Sequence, residues 1–164
     1  MVLRALIFDV DGTLADTERD GHRVAFNRAF AKARLDWNWS VELYGELVSV
    51  AGGKERIRFY LQQYQPEIQI PDDDFIAELH GTKTQYYREL LAQGEIPLRP
   101  GVKRLISEAR SEGVRLAIAT TSALPNVIAL LEHNLEPNWF EIIAAGDIVP
   151  AKKPAPDIYH YVLK

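Results

Sequence analysis

Strand-forming sequence lies at the two ends of this chain, and a long helical block separates them. Residues 3–10 read Leu-Arg-Ala-Leu-Ile-Phe-Asp-Val and are followed by Asp11-Gly12. A short apolar run closed by Asp-Gly is the pattern of a buried parallel strand ending in a turn. The next such run is 114–119, which stops at Thr120-Thr121-Ser122, and a third spans 142–145. From residue 94 onward, helical and strand-like segments alternate, which implies an α/β fold with a parallel, Rossmann-like sheet and right-handed crossovers. The block at 16–93 is then an all-helical insertion after the first strand. Inserted there, it is expected to stand over the carboxyl ends of the strands, where open α/β sheets bind ligands. The division predicted is 1–15 plus 94–164 for the sheet domain and 16–93 for the helical one.

Within the block, Asp16 or Thr17 is placed to cap a helix carrying Val24, Phe26, Ala29, Phe30 and Ala33 on its apolar side. Ser40 is an expected N-cap for 41–50, Gly52-Gly53 breaks the chain, and 54–64 resumes a helix that Pro66 ends. Asp72-Asp73-Asp74 opens a long helix to Ala92, closed by Gly94. Acids in a first turn suit the helix dipole, so this run reads as capping rather than metal binding. Beyond Pro97, 101–112 is helical up to Gly113, Pro125 suits the first turn of a helix through 131, and Pro154 and Pro156 introduce a last helical stretch.

Composition removes several functions. The 164 residues contain no cysteine, so disulfides, zinc–thiolate sites and thiol nucleophiles are excluded. Hydrophobic residues make up 47% and charged residues 26%, the balance of a chain that builds a core. The net charge is −4 and the longest basic tract is Lys152-Lys153, which argues against nucleic-acid binding. No apolar run approaches the roughly 18–20 residues a bilayer span needs. The start, Met1-Val2-Leu3-Arg4, lacks a signal-peptide layout because Asp9 and Asp11 cut the apolar run short. A cytoplasmic protein is expected.

Three polar clusters fall at strand ends or in the loops that follow: Asp9-Val10-Asp11-Gly12-Thr13, Thr120-Thr121-Ser122 and Lys152-Lys153-Pro154. A parallel sheet brings such ends side by side. Phosphoryl transfer needs an oxygen nucleophile, a proton donor for the leaving group and fixed positive charge. Asp9, held at a strand end, could attack phosphorus and form an aspartyl-phosphate. Asp11, two residues on, could protonate the leaving oxygen and later activate water. Magnesium bridging carboxylate and phosphate would relieve their repulsion, with Lys153 and the donors around Thr120 on the remaining oxygens. Each cluster has a plainer reading: a turn, a strand end, a solvated lysine. Their occurrence together, in this order on these elements, favours the chemical one.

Phe8-Asp9-Val10-Asp11-Gly12-Thr13-Leu14 resembles the first motif of the haloacid-dehalogenase superfamily. Ile118-Ala119-Thr120 resembles the second, and Lys153-Pro154-Ala155-Pro156-Asp157-Ile158-Tyr159 the third, as found in the phosphoglycolate phosphatase and β-phosphoglucomutase-like branch. Asp16-Thr17-Glu18, with His22 and Asn27, also looks like that branch, whose helical cap follows the first motif. The segment from Ser49 to Arg56, with Val149-Pro150-Ala151-Lys152-Lys153, is similar to the CbbY-like phosphatases that act on xylulose 1,5-bisphosphate. The resemblance implies nucleophile Asp9, acid/base Asp11, phosphate ligands Thr120 and Lys153 aided by Thr121 and Ser122, and Mg2+ on the Asp9 carboxylate and Asp11 backbone carbonyl. It implies Glu18 and His22 facing a phosphorylated sugar. Lys54 and Arg56 are candidates for a distal phosphate, set against the reading that Lys54, Arg56 and Arg58 form one exposed helix face. A monomer is expected, in the cytoplasm or, from a photosynthetic eukaryote, the plastid stroma.

Family members continue past the third motif into a further strand ending in an acidic pair that completes the magnesium site, and this sequence stops at Lys164 before it. The first strand is therefore expected to lack a neighbour and expose an apolar edge, and the chain to bind magnesium weakly and turn over little. A phosphomutase using the same aspartyl-phosphate and a non-catalytic phosphate-binding fragment are the alternatives.

Overall fold

The computed structural model describes residues 3–50, 52–151 and 153–164. Met1 and Val2 of the N-terminal layout, Ala51 of the first cap segment and Lys152 of the basic pair lie outside the described residues. The chain forms two compact units, residues 1–17 with 91–164, and residues 18–90.

Unit 1 is built on a parallel sheet of β1 (Ala5–Phe8), β2 (Arg115–Ala119) and β3 (Ile142–Ala144), in that order. The register pairs Ala5 with Arg115 and Phe8 with Ile118, and on the other side Ala117 with Ile142 and Ala119 with Ala144. β2 is the central strand, and its buried stretch Leu-Ala-Ile-Ala reads as the continuous apolar run that two-faced burial demands. Small Ala117, Ala119 and Ala144 leave room for Ile158 and Val162 of the C-terminal helix to pack against the sheet. Among the described residues β1 pairs on one side only, and Leu3 beside it is 60% exposed.

The helices of this unit are α5 (Val102–Ser111), α6 (Leu124–Asn134) and α7 (Asp157–Val162). Gly101, at φ +86°, precedes α5 in a conformation that side-chain-bearing residues resist. Pro125 stands in the first turn of α6, where its missing N–H costs nothing.

Unit 2 holds α1 (Arg23–Lys32), α2 (Val41–Leu47), α3 (Gly53–Tyr64) and α4 (Asp73–Ala92), the last running two residues past the unit boundary. Ser40 caps α2 by accepting a bond from the Leu43 N–H at 3.1 Å, and Asp72 does the same for Phe75 ahead of α4 at 2.8 Å. The core is aromatic: Trp39 is fully buried, with ring centroids of Phe26, Phe30, Tyr60 and Tyr44 at 4.6–5.9 Å. Asn27 fixes its backbone, accepting from the Trp39 N–H at 2.8 Å and donating to its carbonyl at 3.0 Å.

Two local expectations are corrected. Residues Thr17–His22 wind as a π-helical turn before α1 starts at Arg23, and the Thr17 side chain reaches back to Asp11 rather than capping a helix. α2 stops at Leu47 rather than continuing to Val50, because the carbonyls of Val48 and Val50 turn to accept from the Arg56 guanidinium.

Candidate active site

In unit 1 the sheet register sets the positions. Phe8 is level with Ile118, so Asp9 follows level with Ala119, and Thr120 lies one step beyond on the neighbouring strand. Gly12, at φ +73°, closes a tight loop in which the Val10 carbonyl accepts from the N–H groups of Thr13, Leu14 and Ala15. That loop turns the Asp9 and Asp11 side chains toward the strand ends.

Lys153 meets them from the third cluster. Its Nζ lies 3.3 Å from Asp9 Oδ2 and donates to the Ala119 carbonyl at 2.8 Å, while the Val10 N–H donates to Asp9 Oδ1 at 2.8 Å. The Asp9 side chain is still 43% exposed, so this pair contributes little stability and leaves the carboxylate open to a substrate.

Asp11 is gripped by two hydroxyls, Thr17 Oγ1 donating to Oδ1 at 2.6 Å and Ser122 Oγ donating to Oδ2. The Ser122 N–H donates to the Oγ1 of buried Thr120 at 3.2 Å. One polar chain therefore runs Thr17, Asp11, Ser122, Thr120. Asp9, Asp11, Thr120, Ser122 and Lys153, taken from all three clusters, come together; Ser122 is engaged with Asp11, and Thr121 is exposed beside them. Thr17 was not read from sequence as part of this group, nor was Arg99, whose Nη1 donates to the Gly12 carbonyl.

In unit 2, Glu18, Tyr44 and Arg56 form a second polar chain. Arg56 Nη1 donates to the Tyr44 hydroxyl at 2.7 Å, which donates to Glu18 Oε2 at 2.6 Å. Burial and the adjacent Glu18 carboxylate push the Tyr44 phenol far above its ordinary range, so it stays a donor. His22 accepts from the buried Lys83 ammonium at 2.9 Å through Nδ1 and stacks on Tyr87 with centroids 3.9 Å apart.

Lys54 and Arg56 do not share a face. Positions two apart on a helix diverge by about 200°, so Arg56 is buried, Lys54 is exposed, and Arg58 pairs with Asp73 at 2.5 Å. Lys83 was missed from sequence. Its signal is its spacing: it continues the apolar stripe of Ile76, Leu79, Tyr87 and Leu90 on α4.

Burial, then the Lys83 and Arg56 charges, push His22 down to about 3 from an ordinary value near 6.5. Above 6.5 the ring is neutral folded or unfolded. Between 6.5 and 3 only the unfolded chain takes up the proton, so folding stability falls as pH falls through this window. The loss is expected to reach on the order of 4 kcal/mol by about pH 3. Urea unfolding at stepped pH checks this; His22→Gln should flatten the dependence over that window, and an unchanged slope would rule out His22 as its source.

Residues 3–164 match the family described as haloacid dehalogenase-like hydrolase. Protein CbbY of Cereibacter sphaeroides is 49% identical over 99% of this chain and 70% of its own length. The crystal structure of CbbY from Rhodobacter sphaeroides in complex with phosphate is 48% identical with a TM-score of 0.70, covering 99% of this chain and 72% of that one. A mutant of the same protein in complex with xylulose-(1,5)bisphosphate is 47% identical at a TM-score of 0.69, with the same coverage. With a family match over nearly its whole length and such relatives, this chain belongs to the haloacid dehalogenase-like hydrolases.

Proposed function

We propose that this chain is a magnesium-dependent phosphatase of small phosphorylated sugars, with xylulose 1,5-bisphosphate as the leading substrate. The observation that carries the reading is the meeting of Asp9, Asp11, Thr120 and Lys153 at adjacent strand ends. The exposed Asp9 carboxylate attacks phosphorus, the bond to the sugar oxygen breaks, and Asp11 gives that oxygen its proton. Asp11 then takes a proton from the water that cleaves the aspartyl-phosphate, releasing inorganic phosphate and restoring Asp9. Lys153 and the Thr120 hydroxyl hold the phosphoryl oxygens, and the hydroxyls of Thr17 and Ser122 fix the direction of the Asp11 carboxyl.

The donor set fits magnesium. Asp9 presents a carboxylate that is 43% exposed, and magnesium is usually held by one or two carboxylates with substrate phosphate and water. The Asp9 carboxylate and the Asp11 backbone carbonyl would hold it, and its charge would offset that of the phosphate.

Within unit 2, buried Arg56 lies 3.8 Å from the Glu18 carboxylate, and buried Lys83 is hydrogen-bonded to His22 Nδ1. The helical unit is the counterpart of the inserted cap of the branch, and the protein acts as a soluble monomer in the cytoplasm or the plastid stroma. Among the described residues no helix is long and apolar enough to cross a membrane.

The deciding experiment incubates the chain with magnesium and xylulose 1,5-bisphosphate and analyses the products. Release of inorganic phosphate supports a phosphatase, an isomerised sugar phosphate indicates a mutase, and unchanged substrate removes the catalytic reading of the chain.

A further inference from the structure

Ser122 makes two bonds inside unit 1 that serve different groups. Its hydroxyl donates to Asp11 Oδ2, and its backbone N–H donates to Thr120 Oγ1 at 3.2 Å. The first bond joins it to the carboxyl that handles protons, and the second to a hydroxyl assigned to the phosphoryl oxygens.

A hydroxyl has one hydrogen to give and two lone pairs to receive with. At buried Thr120 the Ser122 N–H fills a lone pair, and among the described residues the Thr120 O–H finds no protein acceptor. That hydrogen is left for a ligand oxygen. At Ser122 the position is reversed. Its one hydroxyl hydrogen is already given to a carboxylate, a charge-assisted bond stronger than one between neutral groups. Ser122 could donate to a phosphoryl oxygen only by giving that bond up. On the other side of the same carboxyl, Thr17 Oγ1 donates to Oδ1 at 2.6 Å. Asp11 is therefore held at both oxygens and cannot turn without breaking a bond. Thr17 grips it from a buried position, and Ser122 grips it from the half-buried loop after β2.

We propose that Ser122 is a positioning residue rather than a phosphate ligand: its hydroxyl aims Asp11 at the leaving-group oxygen, and its amide turns the Thr120 hydroxyl toward the phosphoryl group. This rests on the functional reading above. As the Asp9 oxygen bonds to phosphorus, the bond from phosphorus to the sugar oxygen breaks. The electron pair stays on the sugar oxygen, which takes the Asp11 proton, and Ser122 keeps its own hydrogen throughout.

The need for the Ser122 hydroxyl then follows the leaving group. A sugar alkoxide departs only with a proton, whereas p-nitrophenolate is a stable anion that departs without one. Ser122→Ala removes the grip on Asp11 and keeps the bond to Thr120, because that bond belongs to the backbone.

The test measures kcat and KM of Ser122→Ala, with magnesium, for xylulose 1,5-bisphosphate and for p-nitrophenyl phosphate. The expected result is a kcat/KM that falls roughly tenfold or more further for the sugar than for the aryl ester, the scale of misaiming a general acid. The sugar loss should lie in kcat rather than KM, as for an interaction used in the transition state. Ser122→Thr, which retains a hydroxyl, should restore the sugar rate. Thr17→Val, which removes the other grip on Asp11 and keeps the branched shape, should give the same split. Equal losses on the two substrates, the behaviour of a phosphate ligand, or loss on neither overturn the assignment and leave the phosphatase reading intact. Failure of the unaltered chain to hydrolyse xylulose 1,5-bisphosphate overturns the functional reading itself, and the assignment with it.

Discussion

Asp9→Asn is expected to reduce phosphate release from xylulose 1,5-bisphosphate by roughly 10^4-fold or more, the scale seen when a nucleophile or its direct partner is removed. The substitution keeps the shape of the side chain. The amide oxygen can still accept from the Val10 N–H, as Asp9 Oδ1 does at 2.8 Å. What disappears is the negative charge and the lone pair able to form an acyl phosphate. Lys153 keeps its 2.8 Å bond to the Ala119 carbonyl, so its ammonium is not orphaned. The lost ion pair is partly exposed, so the stability change should stay within about 1 kcal/mol. The assay is a colorimetric phosphate measurement beside a thermal melt. Hydrolysis near the wild-type rate with an intact melt would show that Asp9 is not the nucleophile.

The largest effect on stability is expected at Trp39. Its indole is fully buried among Phe26, Phe30, Tyr44 and Tyr60. Trp39→Ala removes the centre of this cluster and leaves a cavity that surrounding rings fill only partly, costing about 3–5 kcal/mol. Against a typical net stability of about 5–15 kcal/mol, that endangers the helical unit as a whole. Trp39→Phe should cost less than half as much. It keeps an aromatic filler and also removes the buried Nε1 donor, which has no hydrogen-bond partner among the described residues. Urea unfolding followed by circular dichroism gives both numbers. Equal losses for Ala and Phe would mean the indole is not the packing centre.

Much of unit 1 was legible in sequence because its signals are local. Apolar runs ending in Asp-x-Asp-Gly, Thr-Thr-Ser and Lys-Pro mark strand ends and the loops after them, and parallel pairing then makes those ends neighbours. The Ser40 and Asp72 caps were readable for the same reason: each acts on a backbone group three residues away. The misses are non-local. Thr17 is a plausible cap by its neighbours, yet its hydroxyl goes to Asp11, six residues back across a turn. The burial of Arg56 and of Lys83 was not legible, because burying a charge is normally too costly to expect. The offsetting groups, the Tyr44 phenol and the His22 ring, come from other elements and leave no mark beside either cation.

The ladder between β1 and β2 also acts as a ruler. Asp9 and Thr120 are carried by neighbouring strands, and their relative placement is inherited from the pairing of Phe8 with Ile118. A slip of one residue would shift one strand end by about 3.3 Å and turn its side chains to the opposite face. Apolar positions such as Ile7 and Ala117, which never meet a substrate, therefore hold the chemistry in alignment, and repacking beneath the sheet can detune catalysis without altering any polar residue.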